Sequence, residues 1–110
     1  MQYLTPQEKK AVLEFKRRVF AAIPARIVEL RLFGSRARGE GSEESDIDIL
    51  VLLKKESRVD RDRVFEIAAD CLLEYEIDIS PLVMSLDHFE DMKKRERLLP
   101  QEIERDGQMI

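Results

Sequence analysis

One cysteine, Cys71, occurs among the 110 residues. A lone cysteine excludes an internal disulfide and fits a reducing compartment. Long apolar runs are missing as well. Stretches such as Ile49 to Leu53 fall far short of the roughly 20 residues needed to span a membrane. The first ten residues, MQYLTPQEKK, contain no apolar signal-peptide core, so the expected location is the cytoplasm. Basic excess is also lacking: 19 Lys and Arg face 23 Asp and Glu, giving a net charge of −4. Extended nucleic-acid binding usually needs a basic footprint, and this balance argues against it. The basic groups that do occur, at 9–10, 16–18 and 93–97, are interleaved with apolar positions at helical spacing and read as solvated faces. Asparagine is absent while Glu, Lys and Arg abound, which resembles a heat-adapted composition.

What is present describes one globular domain covering 1–110, with 44% hydrophobic and 38% charged residues. A first helix is signalled by Thr5 as N-cap, Pro6 at the first helical position and Glu8 closing a capping box. Val12, Phe15, Val19, Phe20 and Ile23 follow helical spacing, and Pro24 ends the run. Residues 26–33 read as a strand that Gly34 stops. Three of the four glycines fall in the stretch GSRARGEGSEES, 34–45, which passes directly into DIDILVLL, 46–53. That apolar run suits a central strand covered on both faces. A second helix is expected over about 60–75, with Val64, Ala68, Cys71, Leu72 and Tyr75 on one stripe and Phe65 and Ile67 widening it. A third strand is expected over 76–85, and a helix from an Asp87 cap to about Arg97. Pro100 opens a last short helix that Gly107 ends, and 108–110 forms an edge strand. The order predicts an α/β fold: a small mixed sheet of three to four strands flanked by helices.

Asp46 and Asp48 lie two residues apart in a strand and therefore share a face, about 7 Å apart. Acids are disfavoured there and like charges on one face repel. Either this is a solvent-facing strand end with two harmless acids, or a hard cation such as Mg²⁺ removes the penalty. Asp78 bears on that choice. In EIDIS, Ile77 and Ile79 repeat the alternation, leaving Glu76, Asp78 and Ser80 on the polar face. If the two strands are neighbours, three carboxylates converge, the usual way to hold two Mg²⁺ ions for phosphoryl or nucleotidyl transfer. Gly34-Ser35 supplies a complementary half: a glycine at a strand end, then a short helical turn, lets backbone N–H groups and the Ser hydroxyl approach a phosphate. Arg36 and Arg38 are near enough in sequence to offer guanidinium groups to the same anion. No Lys-Ser/Thr follows the glycines, so this is not a Walker A loop. The acids stand on the next strand, so it is not a Rossmann fingerprint either.

Gly34-Ser35, ten residues, then Asp46-Ile47-Asp48 matches the pattern GS-x10-DxD. The string GSRARGEGSEESDIDILV resembles the minimal nucleotidyltransferase (MNT) proteins of the DNA polymerase β-like superfamily, and the likeness covers nearly the whole chain. The resemblance implies Mg²⁺-dependent transfer of a nucleoside monophosphate, usually AMP from ATP. Asp46 and Asp48 would bind the metal ions, and Gly34 and Ser35 the triphosphate. Asp78 stands where the family's third acid belongs, as metal ligand and aid to the attacking hydroxyl. It also implies a HEPN-domain toxin as partner, silenced when the MNT antitoxin adenylylates it. At this length a helical acceptor-binding domain is not expected, so a second copy or another protein would complete the acceptor wall, which favours a protein acceptor. Two other readings stay open: an antitoxin that works by steric binding with little turnover, and a small-molecule nucleotidyltransferase completed by dimerisation. Of the remaining residues, His88 reads as a surface residue with no His or Cys companion for zinc, and Cys71 as core.

Overall fold

A capping box starts the first helix, α1 (Pro6–Ala22): the Thr5 hydroxyl accepts from the Glu8 N–H, and the Glu8 carboxylate accepts from the Thr5 N–H. The structure is a computed structural model and describes residues 1–41 and 45–110. Four strands follow, β1 (Ile27–Phe33), β2 (Ile47–Leu53), β3 (Ile79–Ser85) and β4 (Gln108–Met109). Between them lie α2 (Ser35–Arg38), α3 (Arg58–Tyr75), α4 (Leu86–Lys94) and α5 (Leu98–Asp106). The sheet has the order β3-β2-β1-β4 and is mixed: β2 and β3 run parallel, whereas β1 is antiparallel to both β2 and β4. The α/β sheet of three to four strands expected from the element order is therefore observed.

Strand β2 is central, and its apolar run is covered on both faces. Ile47, Ile49, Val51 and Leu53 join Phe15, Val19, Val64 and Cys71 in one core against α1 and α3. Leu50 and Leu52 point the other way, into a second core with Met84, Phe89 and Ile103 under α4 and α5. Every β2 residue except Asp48 is at most 1% exposed. At about 1.5–3 kcal/mol for each large apolar side chain fully buried, this strand anchors the domain.

Several boundaries differ from the sequence expectation, each for a local reason. Helix α3 starts earlier because Ser57 caps it, its side chain accepting from the Asp60 N–H. The third strand starts at Ile79, not at residue 76, because Glu76 adopts a left-handed conformation (φ 57°) and donates its N–H to the Leu72 carbonyl as the C-cap of α3. The cap of α4 is Ser85 and not Asp87: its hydroxyl accepts from the His88 N–H. That helix stops at Lys94, short of Arg97, and Glu96 turns through a positive φ of 54°. Helix α5 begins at Leu98, with Pro100 inside its first turn. Three side chains placed on core stripes, Phe20, Phe65 and Leu72, are 40%, 40% and 44% exposed. They sit at the margins of their stripes, where a 3.6-residue period cannot separate an edge from a centre. No helix among the described residues is long and apolar enough to cross a membrane.

Candidate active site

The site lies where β1 ends and where β2 and β3 begin. Antiparallel pairing places Phe33, the last residue of β1, opposite Asp48, and parallel pairing places Asp48 beside Ser80. Gly34 follows Phe33 and turns the chain away with φ 78° and ψ −165°, a region open essentially to glycine alone. A Cβ at Gly34 would collide with the Asp48 carboxylate oxygen Oδ2. The turn and the acid thus back directly onto one another, and any larger side chain would have to push the Asp48 carboxylate aside.

After Gly34 the chain closes α2, with the Ala37 N–H donating to the Gly34 carbonyl at 3.1 Å and Gly39 ending the turn in the left-handed conformation. The first N–H groups of such a turn have no partner inside the helix and face outward from its start. Ser35, half-buried, sits at that start. The far end of α2 is tied down by the chain termini: the Gln108 side-chain amide donates to the Ala37 carbonyl at 3.2 Å, and the N-terminal ammonium of Met1 donates to Gln108 Oε1 at 2.7 Å.

Asp46 and Asp78 occupy the positions just before β2 and β3. The Ile47 N–H donates to the Asp78 carbonyl at 3.0 Å, which continues the parallel ladder and sets the two acids side by side. Their carboxyls are close neighbours, near enough to share a hydrogen bond when one of the two is protonated. Both are exposed, whereas Asp48 is half-buried. Burial pushes the Asp48 carboxyl above its usual range, and the neighbouring Asp46 charge pushes it further. Asp78 is likewise raised by desolvation, then by the charge of Asp46 and the hydrogen bond with it. This is the electrostatic state of acids gathered without a counter-charge. The structure thus brings Asp46 and Asp78 into contact and sets Asp48 one strand position further in. Among the described residues no three acids stand close enough to hold a single ion as they are. The donor set is nevertheless hard carboxylate oxygen whose mutual repulsion a divalent cation would neutralise, and it fits Mg²⁺.

The two arginines fare differently. Sequence reasoning assigned both to the phosphate; the structure places the Arg36 guanidinium, 4% exposed, on the Glu8 carboxylate at 2.6 Å, with a second bond of 3.3 Å to the Ser45 carbonyl. Arg38 is partly exposed at the end of α2, paired with Glu40 at 2.9 Å and 3.8 Å from Asp106. His88 lies on the surface, 3.8 Å from Glu56, and Cys71 is buried, both as read from the sequence. Sequence reasoning missed the wall beside the acids. A cavity of about 290 Å³ opens next to Asp46 and Asp78, and its other side is formed by Phe65, Ala69 and Leu72 of α3 with Pro81 of β3. The signal was present as Phe65 and Leu72, seven residues apart on one helix face.

A nucleotidyltransferase domain model matches residues 9–107. The chain belongs to that family. Among relatives, a protein of Methanocaldococcus jannaschii provisionally named a protein adenylyltransferase is 40% identical over 82 residues, 74% of this chain and 78% of that protein. A second from the same organism, named in the same way, is 36% identical over 73 residues, 66% of this chain and 74% of that one. Among solved structures, a protein of Sulfolobus solfataricus provisionally named a nucleotidyltransferase superposes with a TM-score of 0.56 at 25% identity, covering 94% of this chain and 78% of that one. A toxin–antitoxin complex with AMP-PNP contains a chain of the same fold, with a TM-score of 0.58 at 20% identity over 86% of this chain and 68% of that chain.

Proposed function

We propose that this nucleotidyltransferase moves AMP from ATP to a hydroxyl of a partner protein, with Gly34-Ser35 receiving the triphosphate and Asp46, Asp48 and Asp78 holding Mg²⁺. The observation that carries the reading is the contact of the Gly34 turn with the Asp48 carboxylate. It sets a turn suited to an anion and an acid suited to a cation against each other, and a ligand bearing both phosphate and metal would satisfy both. When bound, Mg²⁺ would supply positive charge to the triphosphate oxygens and to the departing pyrophosphate.

This chain's own residues do the rest. The N–H groups at the start of α2 and the Ser35 hydroxyl orient the phosphates, because a helix start favours negative charge. The acceptor oxygen attacks the α-phosphorus. A bond from that oxygen to phosphorus forms, the bond to the bridging oxygen breaks, and pyrophosphate leaves with the electron pair. The acceptor proton passes to Asp78, whose carboxylate lines the cavity from which the acceptor comes. The acceptor enters from the cavity side, since Asp78 lines that cavity and the opposite flank of Asp48 is closed by Gly34.

A protein acceptor is favoured by the apolar wall of Phe65, Ala69 and Leu72, which would accept the body of a side chain while its hydroxyl meets Asp78. The names of the Methanocaldococcus relatives support the same class of acceptor. The likeness to MNT proteins points to a HEPN-domain toxin as the partner and to an antitoxin role. The test is to incubate the protein with α-labelled ATP, Mg²⁺ and the HEPN-domain protein of its own genome. Label should move to the partner with wild type and not with Asp48→Ala. Equal labelling with both, or none with wild type, would refute the proposal. Neutralisation of the partner by an Asp46→Ala/Asp48→Ala double variant at unchanged stoichiometry would instead establish steric binding.

A further inference from the structure

We infer that Arg36 is a positioning residue, which fixes the entry of β2, and with it Asp46, relative to the Ser35 turn. The inference rests on the reading of this turn as the nucleotide site. Arg36 follows Ser35 directly, yet its side chain runs inward and is 4% exposed. One nitrogen donates to Glu8 Oε1 at 2.6 Å and another to the Ser45 carbonyl at 3.3 Å, one residue before Asp46. The same Glu8 oxygen accepts the Thr5 N–H at 2.8 Å and so belongs to the cap of α1. The returning loop also lies against this arginine: a Cβ on Gly41 would stand 2.8 Å from Arg36 Cδ and 2.7 Å from Ser35 Oγ. The cap of α1 and the entry of β2 therefore meet at one guanidinium.

Stability alone does not account for the pair. Two charges lose their hydration on burial, and an apolar pair of similar volume commonly holds a fold as well or better. Burial by itself would raise the Glu8 carboxyl; the bonds from Arg36 and the Thr5 N–H outweigh it and hold Glu8 below the usual range. The rigid fork of a guanidinium grips two acceptors on different segments in fixed directions, which an apolar side chain cannot do. Asp46 itself is exposed. Its backbone is held on one side by the Ile47 N–H bond to the Asp78 carbonyl and on the other by the Arg36 bond to the Ser45 carbonyl.

The test separates positioning from folding. Arg36→Met alone strands a buried carboxylate and is expected to lower the melting temperature. The double variant Glu8→Gln/Arg36→Met removes both charges while Gln keeps the capping box. Its melting temperature should return to near the wild-type value. Binding of Mg²⁺·AMP-PNP, measured by calorimetry, should nevertheless stay weaker by about tenfold or more. The Ile47 amide should exchange hydrogen at least about tenfold faster, with the Leu50 amide unchanged. Arg36→Lys, which keeps the charge but loses the fork, should fold like wild type and still show faster Ile47 exchange. A double variant that regains stability together with wild-type binding overturns the inference, as does unchanged Ile47 exchange. If wild type itself does not bind Mg²⁺·AMP-PNP, the nucleotide reading fails, and Ile47 exchange alone then decides whether Arg36 positions Asp46.

Discussion

Replacing Gly34 by alanine tests the contact on which the site is built. The backbone there has φ 78° and ψ −165°, and an alanine held in such a region costs about 1–3 kcal/mol. The new Cβ would also run into the Asp48 carboxylate, with Asp48 Cγ only 3.2 Å away. Turning that carboxylate aside by an off-rotamer torsion adds about 0.5–1.5 kcal/mol. Together the loss is about 2–4 kcal/mol, a large part of the roughly 5–15 kcal/mol that holds a domain folded. At 4–8 °C per kcal/mol for a domain of this size, the melting temperature should fall by roughly 10–30 °C. Denaturant unfolding of Gly34→Ala, Asp48→Ala and the double variant divides the effect. Shortening Asp48 removes the collision but leaves the backbone cost, so the two substitutions should couple by about 0.5–1.5 kcal/mol. Binding of Mg²⁺·AMP-PNP should drop in Gly34→Ala even where the protein remains folded, because turn and acid can no longer keep their places together. A Gly34→Ala protein within about 0.5 kcal/mol of wild type, the range of an ordinary surface substitution, would refute the reasoning. So would additivity with Asp48→Ala, which would show that the two residues do not touch.

Asp48→Asn should unfold at a higher denaturant concentration than wild type, since it deletes a carboxylate destabilised by burial and by Asp46, yet its AMP transfer should fall by roughly 10²–10³-fold, the several kcal/mol that metal-borne charge supplies. The pH dependence of stability follows from opposite shifts. Asp48 and Asp78 are raised, so their contribution favours the fold below pH about 3.8 and is lost as pH rises through their folded values; Glu8 is lowered, so its contribution is present above about 4.5 and lost as pH falls through its folded value. Urea midpoints recorded from pH 3 to 7 should therefore decline less steeply on the acid side in Glu8→Gln than in wild type, and a steeper decline would contradict the assignment. Leu72→Glu, at a residue 44% exposed on the cavity wall, should leave folding and Mg²⁺·AMP-PNP affinity close to wild type while lowering label transfer to the protein partner by about tenfold or more, the cost of burying one unpaired carboxylate. Undiminished transfer would show that the acceptor enters elsewhere.

The parts of this molecule legible in the sequence are those whose physics is local. The capping box of α1 is written in two residues, Thr5 and Glu8, and the strand parity that sets Asp48 on the face of Leu50 and Leu52 follows from a period of two. Parallel pairing of β2 with β3 was needed to bring Asp78 beside Asp46, and the alternation in EIDIS could only make that arrangement available. Arg36 shows where local reading stops. Its position after Ser35 suggested an anion, but its partner is Glu8, 28 residues earlier, and only the packing of α1 on the sheet brings the two together. Gln108 is a similar case: it braces α2 from the other end of the chain, 71 residues from Ala37. Phe65 and Leu72 satisfy a helical stripe, yet both are exposed and border the cavity beside the acids.

These long-range contacts divide the site into a braced half and an open half. On the side proposed to receive phosphate, α2 is held by Gln108 at the Ala37 carbonyl, by the Arg36 anchor to Glu8, and by Gly34 pressed on Asp48. On the acceptor side, Asp46 and Asp78 stand exposed before a partly apolar cavity. A preorganised site must keep its dipoles and charges in place before the substrate arrives, because reorganising them afterwards would draw on the binding energy. The braced half meets that demand at the cost of an acid held against its preference, as the raised carboxyl of Asp48 shows. The strain is electrostatic, since no described buried side-chain polar atom lacks a hydrogen-bond partner. A ligand bringing positive charge between the acids releases it, so binding there is favoured by the repulsion already present in the fold. The open half presents exposed acids beside a partly apolar wall and can accept partners by shape and apolar contact. The proposed function therefore assigns affinity for the nucleotide and choice of the acceptor to different residues.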